Sequence, residues 1–304
     1  MFGKILVPLD GSELAERALE PAYALSRQAE GSLILLRGVA PEKILVPDMH
    51  LFGGYGVIWP DQSLAKCMEE AQAYLETIRK TKAESNVTVR AQALDTDPAE
   101  AIVDIAAEEG VDLIVLSSHG YSGLTRWVLG SVAEKVLSIA PCPVLVLRSA
   151  MPIRKVLVTL DGSPLSEHAL APGLAAAAGL GAEAAVLRVI EPVGKKEIMY
   201  LDGVERGLGQ RLVDEIRDES QNYLRDALAK EQWPGLTVKA VVVPGAPAET
   251  ILNYAETHDI DLIAMSTHGR TGLKRWAYGS VTGKVLRGFG GSMLITRPAA
   301  HHLN

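Results

Sequence analysis

The chain repeats itself. Lys4-Ile-Leu-Val-Pro-Leu-Asp-Gly-Ser12 returns as Lys155-Val-Leu-Val-Thr-Leu-Asp-Gly-Ser163, an offset of 161 − 10 = 151 at the aspartate. Ser117-Ser-His-Gly120, nine residues, Gly130-Ser131 returns as Ser266-Thr-His-Gly269, nine residues, Gly279-Ser280, an offset of 268 − 119 = 149. Between Ser117–Leu137 and Ser266–Leu286, 13 of 21 positions are identical, including Leu124-x-Arg126-Trp127 against Leu273-x-Arg275-Trp276. A period near 150 residues is too long for a solenoid repeat and matches whole domains. The 304 residues therefore read as two domains, 1–149 and 150–304, joined by the short linker Ser149 to Ile153.

Within each copy apolar runs alternate with amphipathic ones. The first copy predicts strands over Lys4–Leu9, Ser32–Val39, Val87–Leu94, Asp112–Ser117 and Pro143–Arg148. Helices are predicted over Glu13–Ala29, Ser63–Ala83, Pro98–Glu109 and Gly130–Ile139. The strands are near-continuous Ile, Leu and Val, as expected when helices cover both faces of a parallel sheet. The expected class is α/β, two doubly wound five-stranded parallel sheets of strand order 3-2-1-4-5. Strands 1 and 4 are then neighbours, and ligands bind outside their carboxyl ends. That order brings the Asp10-Gly-Ser12 turn to the loop between Ser117 and Ser131.

Each of these loops runs from a strand into a helix. A Gly-Ser at a helix start leaves amide N–H groups unpaired, and those groups with the positive helix end favour an anion. Asp10 and Asp161 end the first strand of their copies, where a carboxylate can accept hydrogen bonds from a ribose or a base. Ser12 and Ser163 read as helix caps. His119 and His268 fit turn-stabilising imidazoles better than general bases, since no carboxylate is placed beside them. Arg126, Arg275 and Lys274 read either as partners that neutralise phosphate charge or as solvated loop residues, while Trp127 and Trp276 fit hydrophobic plugs or interface residues better than base stackers. No nucleophile, base and orienting group stand together, so no catalytic residue is assigned. Gly279-Ser-Val-Thr-Gly283-Lys284 is not a P-loop, because Tyr278 and Val285 stand where a glycine and a hydroxyl are required.

At 48% hydrophobic and 22% charged residues, the composition is that of a globular protein with a full core in each half. A net charge of −7 argues against nucleic acid held on a basic face. Cys67 and Cys142 lack metal-ligand spacing, and no metal site is assigned. The cysteine usage fits a reducing, cytoplasmic setting. The N-terminus enters a strand with no signal peptide pattern. The apolar stretch Ala169–Ile190 is broken by Pro172, Gly179, Gly181, Glu183 and Arg188, so no membrane span is expected. The stretches Pro41–Gln62 and Pro192–Leu208 do not align and read as irregular, lid or contact segments.

The strand ending in Asp-Gly-Ser, with Ser-x-His-Gly, nine residues and Gly-Ser after strand 4, resembles the universal stress protein family in its tandem form. The resemblance implies an adenine nucleotide alpha hydrolase-like fold and a nucleotide held at the switch point. It implicates Asp10, Gly120, Gly130 and Ser131 in the first copy. In the second it implicates Asp161, Val189, Gly269, Gly279 and Ser280. The expected ligand is ATP or a related adenine nucleotide, with Mg²⁺ as its companion, and the expected role is stress response by binding and signalling. The resemblance also implies a pseudo-dimer made by the fifth strands, and leaves room for a homo-oligomer. Three departures mark this chain: Ser117 and Ser266 replace the first motif glycine, Gly38 stands at the base-packing position of strand 2, and Thr96-Asp-Pro98 replaces Gly245-Ala-Pro247. Two alternatives stay open, a slow Mg²⁺-dependent ATP hydrolase or phosphotransferase and a nucleotide-free interaction module.

Overall fold

Residues 2–40, 44–47, 55–58, 61–82, 86–118, 129–149, 151–267 and 278–297 are described by a computed structural model. The first copy runs β1 (Lys4–Pro8), α1 (Glu13–Glu16), α2 (Leu19–Arg27), β2 (Ser32–Gly38), β3 (Ile44–Pro47), β4 (Tyr55–Ile58) and α3 (Asp61–Thr81). It continues with β5 (Thr88–Leu94), α4 (Pro98–Glu108), β6 (Leu113–Ser117), α5 (Ser131–Ile139) and β7 (Val144–Leu147). The second copy runs β8 (Lys155–Leu160), α6 (Pro164–Glu167), α7 (Leu170–Leu180), β9 (Glu183–Ile190), α8 (Lys195–Val204) and α9 (Leu208–Ala229). It ends with β10 (Val238–Pro244), α10 (Pro247–Thr257), β11 (Leu262–Ser266), α11 (Ser280–Gly288) and β12 (Ser292–Thr296).

Two units emerge. One is built from Phe2–Ser117 and Gly130–Pro141; the other takes the described residues of Cys142–Asn304 with Ser118 and Leu129. The first unit orders its parallel strands β5-β2-β1-β6, the 3-2-1-4 part of the expected series. The second orders β10-β9-β8-β11-β12 in parallel, the full 3-2-1-4-5 series. β7, the last strand of the first copy, belongs to the second unit, where it lies antiparallel to β12 with Leu145 opposite Leu294. Arg148 secures this seam: it is 6% exposed, its N–H donates to Ser292 Oγ (3.4 Å) and its Nη1 donates to the Phe289 carbonyl (2.9 Å). Burial pushes its guanidinium down to about 10, against the opposing influence of Tyr278.

The strands form the core because their Ile, Leu and Val side chains are covered on both faces. Ile5, Leu6, Leu33, Leu35, Leu36, Leu113 and Ile114 in the first unit are among the most deeply buried. In the second the same holds for Val156, Leu157, Val158, Leu262 and Ile263.

The first helix of each copy differs from the single run expected over Glu13–Ala29. It is split into α1 and α2, and in the second copy into α6 and α7. Pro21 and Pro172 explain the break. Proline has no N–H to donate four residues back and is tolerated only in a helix's first turn, so the chain restarts at Leu19 and Leu170. The intervening residues close tighter turns instead, Ala18 N–H to the Ala15 carbonyl and Ala169 N–H to the Ser166 carbonyl. The segments expected to be irregular also carry structure. β3 and β4 pair as an antiparallel hairpin, and Pro192–Leu208 contains α8. Gly53, Gly54, Trp59 and Pro60 lie outside the described residues. The apolar stretch Ala169–Ile190 folds as α7, a turn and β9. Among the described residues no helix is long and apolar enough to cross a membrane.

Candidate functional site

The carboxyl end of each first strand closes in the same turn. Asp10 accepts from the Ser12 N–H at 2.9 Å, and Asp161 from the Ser163 N–H at 2.8 Å. Gly11 and Gly162 sit between them at φ 92° and 91°, a region open to glycine at little cost. The following serines cap α1 and α6, Ser12 Oγ accepting from Ala15 N–H and Ser163 Oγ from Ser166 N–H, both at 3.1 Å. The second turn is braced further. Ser166 Oγ donates to the Ser163 carbonyl (2.9 Å) and accepts from the Asp161 N–H (3.2 Å), where the first copy has Ala15. Burial pushes both aspartates up, but the serine hydrogen bonds outweigh it and leave each carboxyl below its ordinary value. In the first copy the Arg37 charge adds to that lowering.

Behind each turn stands a group of side chains from three further elements. Arg37 of β2 lies with Cζ 5.4 Å from the centroid of the Tyr74 ring of α3, and the Tyr74 hydroxyl donates to Glu16 Oε1 of α1 at 3.0 Å. Arg188 of β9 lies 4.6 Å from the Tyr223 ring of α9, and Glu167 of α6 acts on that phenol. Burial first, and then the Glu167 charge, push Tyr223 up to about 12. Tyr74 is raised by burial and by its bond to Glu16. Sequence reasoning missed these residues, since each alone reads as a solvated charge or a helix aromatic. Alignment of the copies carries the signal: Glu16 and Glu167, like Arg37 and Arg188, are 151 apart, and Tyr74 and Tyr223 are 149 apart.

The glycine loops begin at the ends of β6 and β11, the sheet neighbours of β1 and β8. They end at α5 and α11, whose N-caps Gly130 and Gly279 make no side-chain capping bond. Among the described residues no side chain accepts from the first N–H groups of these helices. α5 carries Glu134 in its first turn, whereas α11 has no acid there. Ser118 and Thr267, aligned in the copies, are 4% and 1% exposed, and among the described residues their hydroxyl oxygens have no hydrogen-bond partner; nor has Ser266 Oγ. Orphaned hydroxyls beside uncapped N–H groups fit a polar, anionic ligand. Asp161, Val189, Gly279 and Ser280 thus share the end of the second sheet marked by the carboxyl ends of β8, β9 and β11. Asp10, Gly130 and Ser131 occupy the matching places of the first copy. Gly120 and Gly269 lie outside the described residues, as do His119, His268, Arg126, Arg275, Lys274, Trp127 and Trp276.

The universal stress protein family model matches the chain twice, over residues 1–148 and 152–297. The chain belongs to the universal stress protein family. A universal stress protein of Bacillus subtilis is 33% identical over 153 residues, spanning 49% of this chain and all of that protein. One from Mycobacterium tuberculosis is 29% identical over 223 residues, 71% of each chain. Among solved structures, a universal stress protein from Archaeoglobus fulgidus superposes with a TM-score of 0.69 at 20% identity, covering 98% of this chain and 99% of that one. That likeness is one of fold. Two family matches in one chain give the tandem form.

Proposed function

We propose that this tandem universal stress protein binds ATP or a related adenine nucleotide, first of all in its second copy, and acts in stress response by binding and signalling. The observation that carries the reading is the uncapped, acid-free N-terminus of α11 beside the Asp161 turn, at the ends of neighbouring strands. In this reading Gly269, Gly279 and Ser280 receive the phosphates, with Mg²⁺ as their companion. Asp161 accepts from the ribose, and Val189 packs the base. Asp10, Gly120, Gly130 and Ser131 have the same roles in the first copy, weakened by Gly38 and by Glu134. The domains of the proposal are 1–149 and 150–304, associated as a pseudo-dimer through their fifth strands. A cytoplasmic setting and a partner other than nucleic acid belong to the same reading.

Calorimetric titration of ATP with Mg²⁺ tests it, with Gly279→Val and Gly130→Val run alongside. Gly130 sits at φ −59° with nothing among the described residues within 4 Å of an added Cβ, and Gly279 at φ −47°, so ordinary side chains suit both backbones. We expect Gly279→Val to weaken binding at least about 100-fold, which corresponds to about 2.7 kcal/mol. Gly130→Val is expected to leave that site intact. A wild-type protein that takes up no nucleotide and melts at the same temperature with or without it would replace this reading with a nucleotide-free interaction module.

A further inference from the structure

The paired arginines carry an inference that rests on the nucleotide reading and deepens it. A Cβ added at Gly162 would lie 3.0, 3.1 and 3.3 Å from Nη2, Cζ and Nη1 of Arg188. Three nearly equal distances mean that the face of the guanidinium, not its edge, is turned to the glycine. Its other neighbour is the Tyr223 ring at 4.6 Å. In the first copy the approach is longer and tilted, with Arg37 Nη1 nearest to Gly11 at 3.3 Å and Cζ farthest at 3.7 Å, and Cζ 5.4 Å from the Tyr74 ring centroid. Glycine is needed in the turn by its φ, and its bare Cα also lets the guanidinium lie close, most of all at Gly162. Two copies that have lost their sequence likeness across Pro41–Gln62 still keep Arg, Tyr and Glu around the same aspartate.

We propose that Arg188, and Arg37 in the first copy, are positioning residues for ligand recognition: held against both a tyrosine ring and the Asp-Gly-Ser turn, the guanidinium fixes where the strand-end carboxylate points. The clamp requires a planar cation. Guanidinium is flat, delocalised and weakly hydrated, so it stacks on an aromatic face and against a peptide at once. A lysine ammonium keeps the charge and loses the plate. The tyrosine is held in turn by the helix that follows the first strand, through Tyr74 and Glu16 in one copy. In the other, the Tyr223 hydroxyl is buried with no hydrogen-bond partner among the described residues, and Glu167 meets Lys230 Nζ at 3.5 Å.

The test compares Arg188→Met and Arg188→Lys with wild type by two readouts. The first is ATP affinity, expected to fall about tenfold in both variants. The second, made without ligand, is amide hydrogen exchange at Ser163, whose N–H is bonded to Asp161, against Leu157 in the middle of β8 as the reference. A loosened turn speeds Ser163 about tenfold while Leu157 is unchanged. A merely structural role speeds both alike and overturns the proposal, as does an unchanged Ser163 or full restoration by lysine. If wild type binds no nucleotide, the functional reading fails by itself, and the exchange ratio still decides whether the arginine holds the turn. Should Arg188→Met not fold, Tyr223→Leu removes the ring that Arg188 lies over, with the same exchange ratio expected.

Discussion

The two copies solve one packing problem in opposite ways. In the first, a Cβ added at Gly38 would sit 2.6 Å from Pro98 Cα and 3.1 Å from the Thr96 carbonyl, so the start of α4 rests directly on the end of β2. In the second, Val189 occupies the aligned place on β9, and the glycine has moved across the gap to Gly245, at φ 155°. Each copy thus has one glycine in this region, Gly38 for its close approach to Pro98 and Gly245 for its positive φ and its closeness to the Thr250 side chain. Under the nucleotide reading, only the second copy keeps a side chain at the strand position proposed to pack the base. The pairing predicts that the departures at positions 38 and 96 depend on each other.

The largest effect should come from reversing that exchange. Gly38→Val drives a side chain into the backbone of Pro98 and should destabilise the first copy by about 3 kcal/mol, the upper end for overpacking. Adding Thr96→Gly, which gives the loop the freedom of Gly245, should recover part of it, so the two changes couple. Urea unfolding of the single and double variants measures this. A cost below about 1 kcal/mol for Gly38→Val would mean that α4 moves aside freely and that the exchange is not compensatory.

This contact also marks the border of what the sequence makes legible. Strands announce themselves by runs such as Ile5-Leu6-Val7, the loops by their repeated glycines, and the caps at Ser12 and Ser163 by residue type. Those signals are local or repeated. The approach of Pro98 to Gly38 joins elements 60 residues apart (98 − 38), and the sequence there shows only a small residue at the end of a strand. The arginine clamp is hidden for the same reason, because β2, α3 and α1 each supply one ordinary residue. The split of the first helix, by contrast, was readable at Pro21 and Pro172, whose missing N–H dictates it.

A second difference lies in the turns. Ser166→Ala makes the second turn like the first, removing two hydrogen bonds, and should cost about 1 kcal/mol near neutral pH. It also removes a group that holds Asp161 below its ordinary value of 3.8. A depressed carboxyl stabilises the fold above its unfolded value and loses that contribution as pH falls through the folded one. In the variant the folded value rises toward 3.8 and less remains to lose. The stability gap between variant and wild type should therefore narrow as pH drops below about 4. Unfolding at pH 7 and pH 3 reads the gap; a constant difference would detach Ser166 from the carboxylate.

The smallest effect separates stability from binding most cleanly. Glu134 stands in the first turn of α5, where its charge favours the positive helix end; its aligned position in α11 is Gly283. An anion arriving at that end meets the same charge as a competitor. Glu134→Gln should therefore act with opposite signs, lowering stability by about 0.5 kcal/mol while strengthening nucleotide binding at the first copy. Titration in the Gly279→Val background isolates that site. Two changes of the same sign would show that Glu134 serves α5 alone, and that the weaker phosphate end of the first copy comes from its loop rather than from its helix.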